Sequence, residues 1–248
     1  MVDPKNYLTR VLALTAFTAL LGVGASAPAQ PAKAPETKVG AQGAKVAAKA
    51  PAAHTPGYNA DRNAYYGDLH VHTKLSFDAY IFNVRASPND AYRFARGEKI
   101  GHASGFDIRL AGGPLDFVAV TDHSEYVGAM EEANTPGTKL SKLPLVQGLF
   151  SPDPKQIGAA FAKVVGAMHE NTVPAEFMDK AVTARAWREI QDAAEKNNDP
   201  GRFTTFVGYE FTSAPDGRNL HRNVIFRDSG NKASTVLPLA SFGTTVPD

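Results

Sequence analysis

The sequence predicts an α/β fold with a largely parallel sheet or barrel, and three observations predict it. Segments with a strand pattern alternate with segments of helical spacing along the chain. The run Leu115–Val120 is apolar throughout, as suits a parallel strand buried on both faces. Three successive strand-like segments finish on imidazole or carboxylate groups, and in α/β folds the C-terminal ends of parallel strands form the active-site rim.

The elements follow in order. "AYYGDLHVH" alternates and carries aromatic and β-branched residues, which predicts a strand ending near His72. "SPNDAYRFARG" has Ser87 as N-cap, Pro88 at the first helical position and Gly97 past the end, the marks of a short helix. "FDIRLAG" fits a short strand, and "LDFVAVTDH" is the buried one. "DPKQIGAAFAKVVGAMHEN" places Ile157, Phe161, Val164, Val165 and Met168 at helical spacing. "AEFMDKAVTARAWREIQDAAEKNND" predicts one or two more helices, with Trp187 in the core; "RFTTFVGYEFT" and "RNVIFRD" predict strands. No internal repeat and no second domain are evident.

The two ends differ from this middle. Lys5 and Arg10 precede an apolar run, Val11 to Val23, too short to span a bilayer comfortably. Ala27 and Ala29 then suit cleavage before Gln30, so residues 1–29 have the pattern of a secretory signal peptide, the alternative being an uncleaved anchor. Residues 30–57 are rich in Ala, Pro and Lys and lack the bulk to bury a core, which predicts a disordered tether in which His54 is idle. The folded part is expected over 58–248. The closing "STVLPLASFGTTVPD" reads as a loop cut in the middle, so the natural protein is expected to continue past Asp248. An exported protein, periplasmic or secreted and without stable membrane insertion after cleavage, is the expectation.

The formal net charge of +1 gives no electrostatic case for nucleic acid. Cysteine is absent, so any metal site must use His, Asp and Glu. Strand alternation puts Asp68, His70 and His72 on one face, and Leu69 and Val71 on the other, where helices would cover them. Imidazoles at i and i+2 at a strand end can bind one cation or two adjacent ones, or simply hydrogen-bond one another. "AVTDHSEY" then delivers Asp122 and His123, and "FVGYEFT" delivers Glu210, whose burial demands a cation or hydrogen-bond partners. Glu125 is a further candidate beside His123. His102, in "KIGHASG", is a weaker one, and His169 suits a helix C-terminus.

"DLHVHT", "VTDH" and "GYE" resemble the three opening motifs of the PHP (polymerase and histidinol phosphatase) superfamily. The wider stretches "YYGDLHVHTKLSFDAY", "PLDFVAVTDHSEYVG", "GYEFT" and "LHRNVIF" are closer still to the PHP-like domain-of-unknown-function family 3604, over roughly Tyr65 to Asp228. The resemblance implies a distorted (β/α)7 barrel, incomplete in this chain, with two or three divalent ions (zinc, manganese or iron) at its C-terminal rim. It implies His70, His72, Asp78, His123 and His221 as ligands and Glu210 as a bridging carboxylate. The reaction implied is hydrolysis, most often of a phosphoester, on a small-molecule substrate. Asp122 would orient an imidazole or serve catalysis, and Arg222, Arg218 or Lys74 would neutralise a substrate phosphate. The family completes its site with a later histidine and a C-terminal Asp-x-His, and no histidine follows His221 here, so the whole site is not expected to assemble from these residues. An amidohydrolase also opens with His-x-His, but no lysine stands at a strand end to bridge its metals. A metal-binding or scaffold module without catalysis is the alternative from another class.

Overall fold

The computed structural model describes residues 63–213, 219–228 and 230–241. The signal-peptide and tether expectations, Arg218 and His54 lie outside the described residues. No helix among the described residues is long and apolar enough to cross a membrane.

The fold is mixed α/β. Strands β1 (Gly67–Val71), β4 (Phe117–Val120), β5 (Thr204–Ser213) and β6 (Leu220–Ile225) form one sheet in that order. β1, β4 and β5 run parallel, and β6 returns antiparallel to β5. The short strands β2 (Ile100–Gly101) and β3 (Asp107–Ile108) pair only with each other. "FDIRLAG" is therefore one arm of a small hairpin and contributes no strand to the main sheet. His102 lies in that hairpin, stacked on Phe106 at 4.5 Å, in the connection that feeds the N-terminal end of β4.

Six helices are described: α1 (Phe77–Ile81), α2 (Pro88–Ala95), α3 (Ala129–Ala133), α4 (Pro154–His169), α5 (Lys180–Asn197) and α6 (Gly230–Ala233). α2 starts where its sequence dictates: Ser87 and Asp90 form a reciprocal capping box, Pro88 occupies the first turn, and Gly97 follows in the left-handed region at φ 82°. Asp153 and Asp179 cap α4 and α5 by accepting from the N–H groups of Lys155 and Ala181. Residues 175–199 resolve into one 3₁₀ turn and the single helix α5. Ser234–Ser241 carries neither helix nor strand.

Two apolar clusters hold these elements. In the first, Trp187 and Ile190 of α5 and Tyr92 of α2 pack on Val118, Val120, Val207 and Tyr209 of the sheet. Trp187 is buried there, and its Nε1 donates to the carbonyl of Val236 at 2.9 Å. In the second, Phe77, Tyr80, Tyr126, Met130, Leu149, Val164 and Phe177 join α1, α3 and α4 beside the strand ends.

The sheet curls. Neighbouring strands stand about 4.8 Å apart, so β1 and β6 would be about 14 Å apart in a flat sheet. Yet Asn223 of β6 donates from Nδ2 to the carbonyl of Leu69 on β1 at 2.9 Å. Curling brings both margins of the sheet to one concave face.

β1 departs from simple alternation. Its register with β4 runs Gly67↔Phe117, Asp68↔Val118 and then Val71↔Val120, so β1 carries one extra residue between the last two pairs. The Thr121 hydroxyl fills that bulge: it accepts from the Val71 N–H at 3.1 Å and donates to the Leu69 carbonyl at 3.3 Å. The extra residue takes Asp68 out of the imidazole row, where alternation had placed it, and its Oδ1 accepts the backbone N–H of His70 at 2.9 Å. Leu69, expected under helices, is exposed because β1 is the margin of the described sheet.

Candidate metal centre

The C-terminal ends of the parallel strands converge on Glu210. β4 and β5 keep one register beyond their last strand pair, so His123 lies directly beside Glu210 in an isolated parallel bridge. The backbone holds it there: the Glu210 N–H donates to the Asp122 carbonyl at 2.9 Å and the Ser124 N–H to the Glu210 carbonyl at 2.8 Å.

Four imidazoles face this one buried carboxylate. Oε2 lies 2.8 Å from Nε2 of His72, 3.2 Å from Nε2 of His70 and 3.4 Å from Nδ1 of His123. Oε1 lies 2.6 Å from Nδ1 of His221. No well-formed hydrogen bond reaches that buried Oε1 among the described residues. Nε2 of His70 and Nε2 of His72 approach each other to 3.1 Å, so two ring nitrogens and a carboxylate oxygen make a closed triangle.

That donor set fits a cation. Donors at about 2.1 Å from one ion stand about 3.0 Å apart in an octahedron and about 3.4 Å apart in a tetrahedron. The triangle's edges of 2.8, 3.1 and 3.2 Å bracket the octahedral value. Two more groups can each hold an ion: His123, Glu210 and His221, and His72, Asp78 and His123. Imidazole and carboxylate together accept zinc, manganese or iron.

The surrounding groups fix the rings. Asp78 lies behind His72, with Oδ1 at 3.3 Å from Nδ1, and the same oxygen accepts from the Ser76 hydroxyl at 2.8 Å and the Ala79 N–H at 2.6 Å. A carboxylate behind an imidazole sets its tautomer and leaves Nε2 for a cation. Oδ2 of Asp78 lies 3.7 Å from Nε2 of His123. Ser76 also accepts the His123 N–H at 3.2 Å, tying the loop after β1 to the end of β4. Phe77 packs on the His123 ring at 5.1 Å.

The electrostatics follow from burial and pairing. Burial lowers the His72 imidazole, but its bonds to Asp78 and Glu210 outweigh that and raise its pKa to about 10. Burial raises Glu210, yet the His72 bond and the His123, His72 and His221 charges pull it down to about 2. Asp78 falls well below the carboxylate range, its burial outweighed by His72 and Ser76. Glu210 therefore contributes stability that is present above its ordinary 4.5 and lost as pH falls through about 2. His72 contributes stability present below its ordinary 6.5 and lost as pH rises through about 10. Glu210→Gln should flatten the acid limb of the chelated protein by up to about one proton and bring the alkaline loss to lower pH. Urea unfolding at a series of pH values checks this, and unchanged limbs would refute the pairing.

The remaining candidate residues take varied positions. Asp122 is wholly buried, and both its oxygens accept from Thr73, Oδ1 from the N–H at 2.5 Å and Oδ2 from the hydroxyl at 2.7 Å. Burial pushes it up to about 6 against those bonds. It makes no direct hydrogen bond to an imidazole among the described residues. Arg222 is exposed and alternates with His221 along β6, so its side chain leaves the strand on the other face. Lys74 is held by Glu131 at 2.9 Å and Glu189 at 3.3 Å. Glu125 is buried 3.8 Å from Nδ1 of His123 and accepts from the N–H groups of Thr212 and Ser241. His169 ends α4, exposed. Sequence reasoning passed over Ser76 and Thr212. Thr212 stands two residues after Glu210 on the same strand face, and that period was the signal for it.

No curated protein and no solved structure matches the chain. The model of the family described as "Protein of unknown function (DUF3604)" matches residues 59–248, and the chain belongs to that family.

Proposed function

We propose that the protein is an exported metal-dependent hydrolase of PHP type, acting on a small phosphoester with two or three divalent ions at the β1–β4–β5–β6 rim. The observation that carries this reading is the convergence of His70, His72, His123 and His221 on one buried carboxylate whose Oε1 has no well-formed hydrogen bond. A core without a cation would gain by replacing such groups with apolar ones. Bound divalent ions would supply a hydroxide near neutral pH and polarise a phosphoryl oxygen.

The chain's own residues have separable parts in this. His70, His72 and Glu210 would hold one ion, and His123, His221 and Glu210 an adjacent one. Asp78 fixes His72 from behind, and Ser76 locks the His72 loop to His123. The apolar wall of Phe77 excludes water from one side of His123. The motif order His-x-His, then Asp-His, then Gly-x-Glu supports the PHP barrel as the parent architecture, and the curled α/β sheet is compatible with part of one. The export reading rests on residues 1–29.

The test is elemental mass spectrometry on the chelated and reloaded protein, followed by turnover of an aryl phosphate ester. Two or more ions per chain and ester hydrolysis that chelation abolishes are expected. Ions without hydrolysis would leave a metal-binding module, and no stoichiometric ion in folded protein would end the hydrolase reading.

A further inference from the structure

His70 and His221, the most exposed of the four imidazoles, stand on opposite margins of the described sheet. Two strands separate β1 from β6, so no ladder hydrogen bond fixes the distance between them. Glu210 lies between the margins, with Oε2 toward His70 and His72 and Oε1 toward His221. Two ions sharing this carboxylate would therefore be spaced by how far the sheet curls.

One side chain spans the gap. Asn223 is directly opposite Glu210 in the β5–β6 ladder, so its amide leaves the face that carries the Glu210 carboxylate and, two residues away, the His221 ring. Its Nδ2 donates at 2.9 Å to the carbonyl of Leu69, the residue before His70. Among the described residues this is the only hydrogen bond between β1 and β6. Both of its ends are anchored. The Leu69 carbonyl also accepts from the Thr121 hydroxyl at 3.3 Å, which ties it to the end of β4, and the ladder holds Asn223 to β5. The amide thus closes a ring of strands from β1 through β4, β5 and β6 back to β1. It engages no ring nitrogen and no carboxylate oxygen, so it does not compete with an ion for a donor atom.

We infer that Asn223 is a positioning residue that fixes the separation of β1 from β6, and with it the spacing of the two ions across Glu210. This rests on the two-ion reading above. The two oxygens of a carboxylate are a fixed distance apart, so it bridges ions only over a narrow range of separations. Without the amide the margins splay, and His221 must be drawn back toward Glu210 as the bridge is completed. That ordering cost falls on the second ion.

The experiment has two arms, on Asn223→Leu, which keeps the size without the donor, and Asn223→Ala, which removes both. The chain has no cysteine, so nitroxides placed by Tyr66→Cys and Leu220→Cys, both exposed, report the separation of the margins in the chelated full chain by pulsed dipolar resonance. Each variant should broaden and lengthen a distribution that is narrow in wild type. In unlabelled protein, Mn²⁺ titration followed by electron paramagnetic resonance should show a spin-coupled ion pair in wild type. Either variant should leave the first ion near its wild-type affinity, weaken the second about 10–100-fold and abolish the coupling at two equivalents. An unchanged distance, an unchanged second ion and coupling, equal weakening of both ions, or an effect of leucine without one of alanine would overturn the inference while the metal reading stood. Wild type that binds fewer than two Mn²⁺ would sink the two-ion reading itself, and the inference with it.

Discussion

Replacing His70 and His72 together by alanine should, on the proposed hydrolase reading, remove at least one stoichiometric ion and lower phosphoester hydrolysis by about 1000-fold or more. The triangle made with Glu210 loses two of its three donors, and an ion held there would be what supplies a hydroxide near neutral pH. The double variant alone is an imperfect test. His72 is largely buried and carries bonds to Asp78 and Glu210, so its loss leaves two carboxylates short of a partner and destabilises the chelated fold by about 3–5 kcal/mol. His70→Ala separates the two effects. That side chain is 53% exposed and among the described residues bonds only within the triangle, so its removal should cost the fold little while weakening the ion at least about 100-fold. Metal content by mass spectrometry and urea unfolding of each variant decide the matter. Unchanged metal in folded His70→Ala would place the ion elsewhere.

Much of this arrangement was legible in the chain, and the reason is local. The His70–His72 spacing is a two-residue period at a strand end, and that period survives in the structure because no extra residue falls between them. The α2 start was legible because Ser87, Pro88 and Asp90 act within one turn. Glu210 and His123 were legible as polar groups closing apolar strands, though their adjacency depends on the β4–β5 register, which no local pattern encodes. What escaped is non-local. The bulge in β1 exists because Thr121, fifty residues away, offers a hydroxyl in place of a ladder partner. Nothing near Asp68 signals that. The exposure of Leu69 and the antiparallel return of β6 are likewise set by which strands become neighbours. Lys74 was nominated for a phosphate on charge alone, and the fold brings Glu131 and Glu189 to it.

Asp122 is the residue on which sequence and structure most differ, and its substitution should separate a catalytic group from a structural clamp. Proximity to His123 in "VTDH" suggested a part in the chemistry, but the carboxylate turns to Thr73 and joins the end of β1 to the end of β4. Asp122→Ala would strand a buried N–H and a buried hydroxyl, costing about 2–4 kcal/mol. Since Thr73 follows His72 and Asp122 precedes His123, the same change should loosen both rings and weaken ion binding in proportion. Asp122→Asn should behave otherwise. Its carbonyl can accept the Thr73 N–H while the hydroxyl turns to accept from the amide, so the clamp survives without a charge. The pH sign sharpens the contrast. A folded value of about 6, raised above 3.8, means that the stabilising protonated form is present below 3.8 and lost as pH rises through about 6. At neutral pH wild type therefore carries a buried charge that asparagine does not, and Asp122→Asn should lie within about 1 kcal/mol of wild type there and keep its ions. An alanine variant as stable as wild type yet inactive would restore Asp122 to the reaction. An asparagine variant that is stable, metal-loaded and active would assign it to the frame that holds the two strand ends in register.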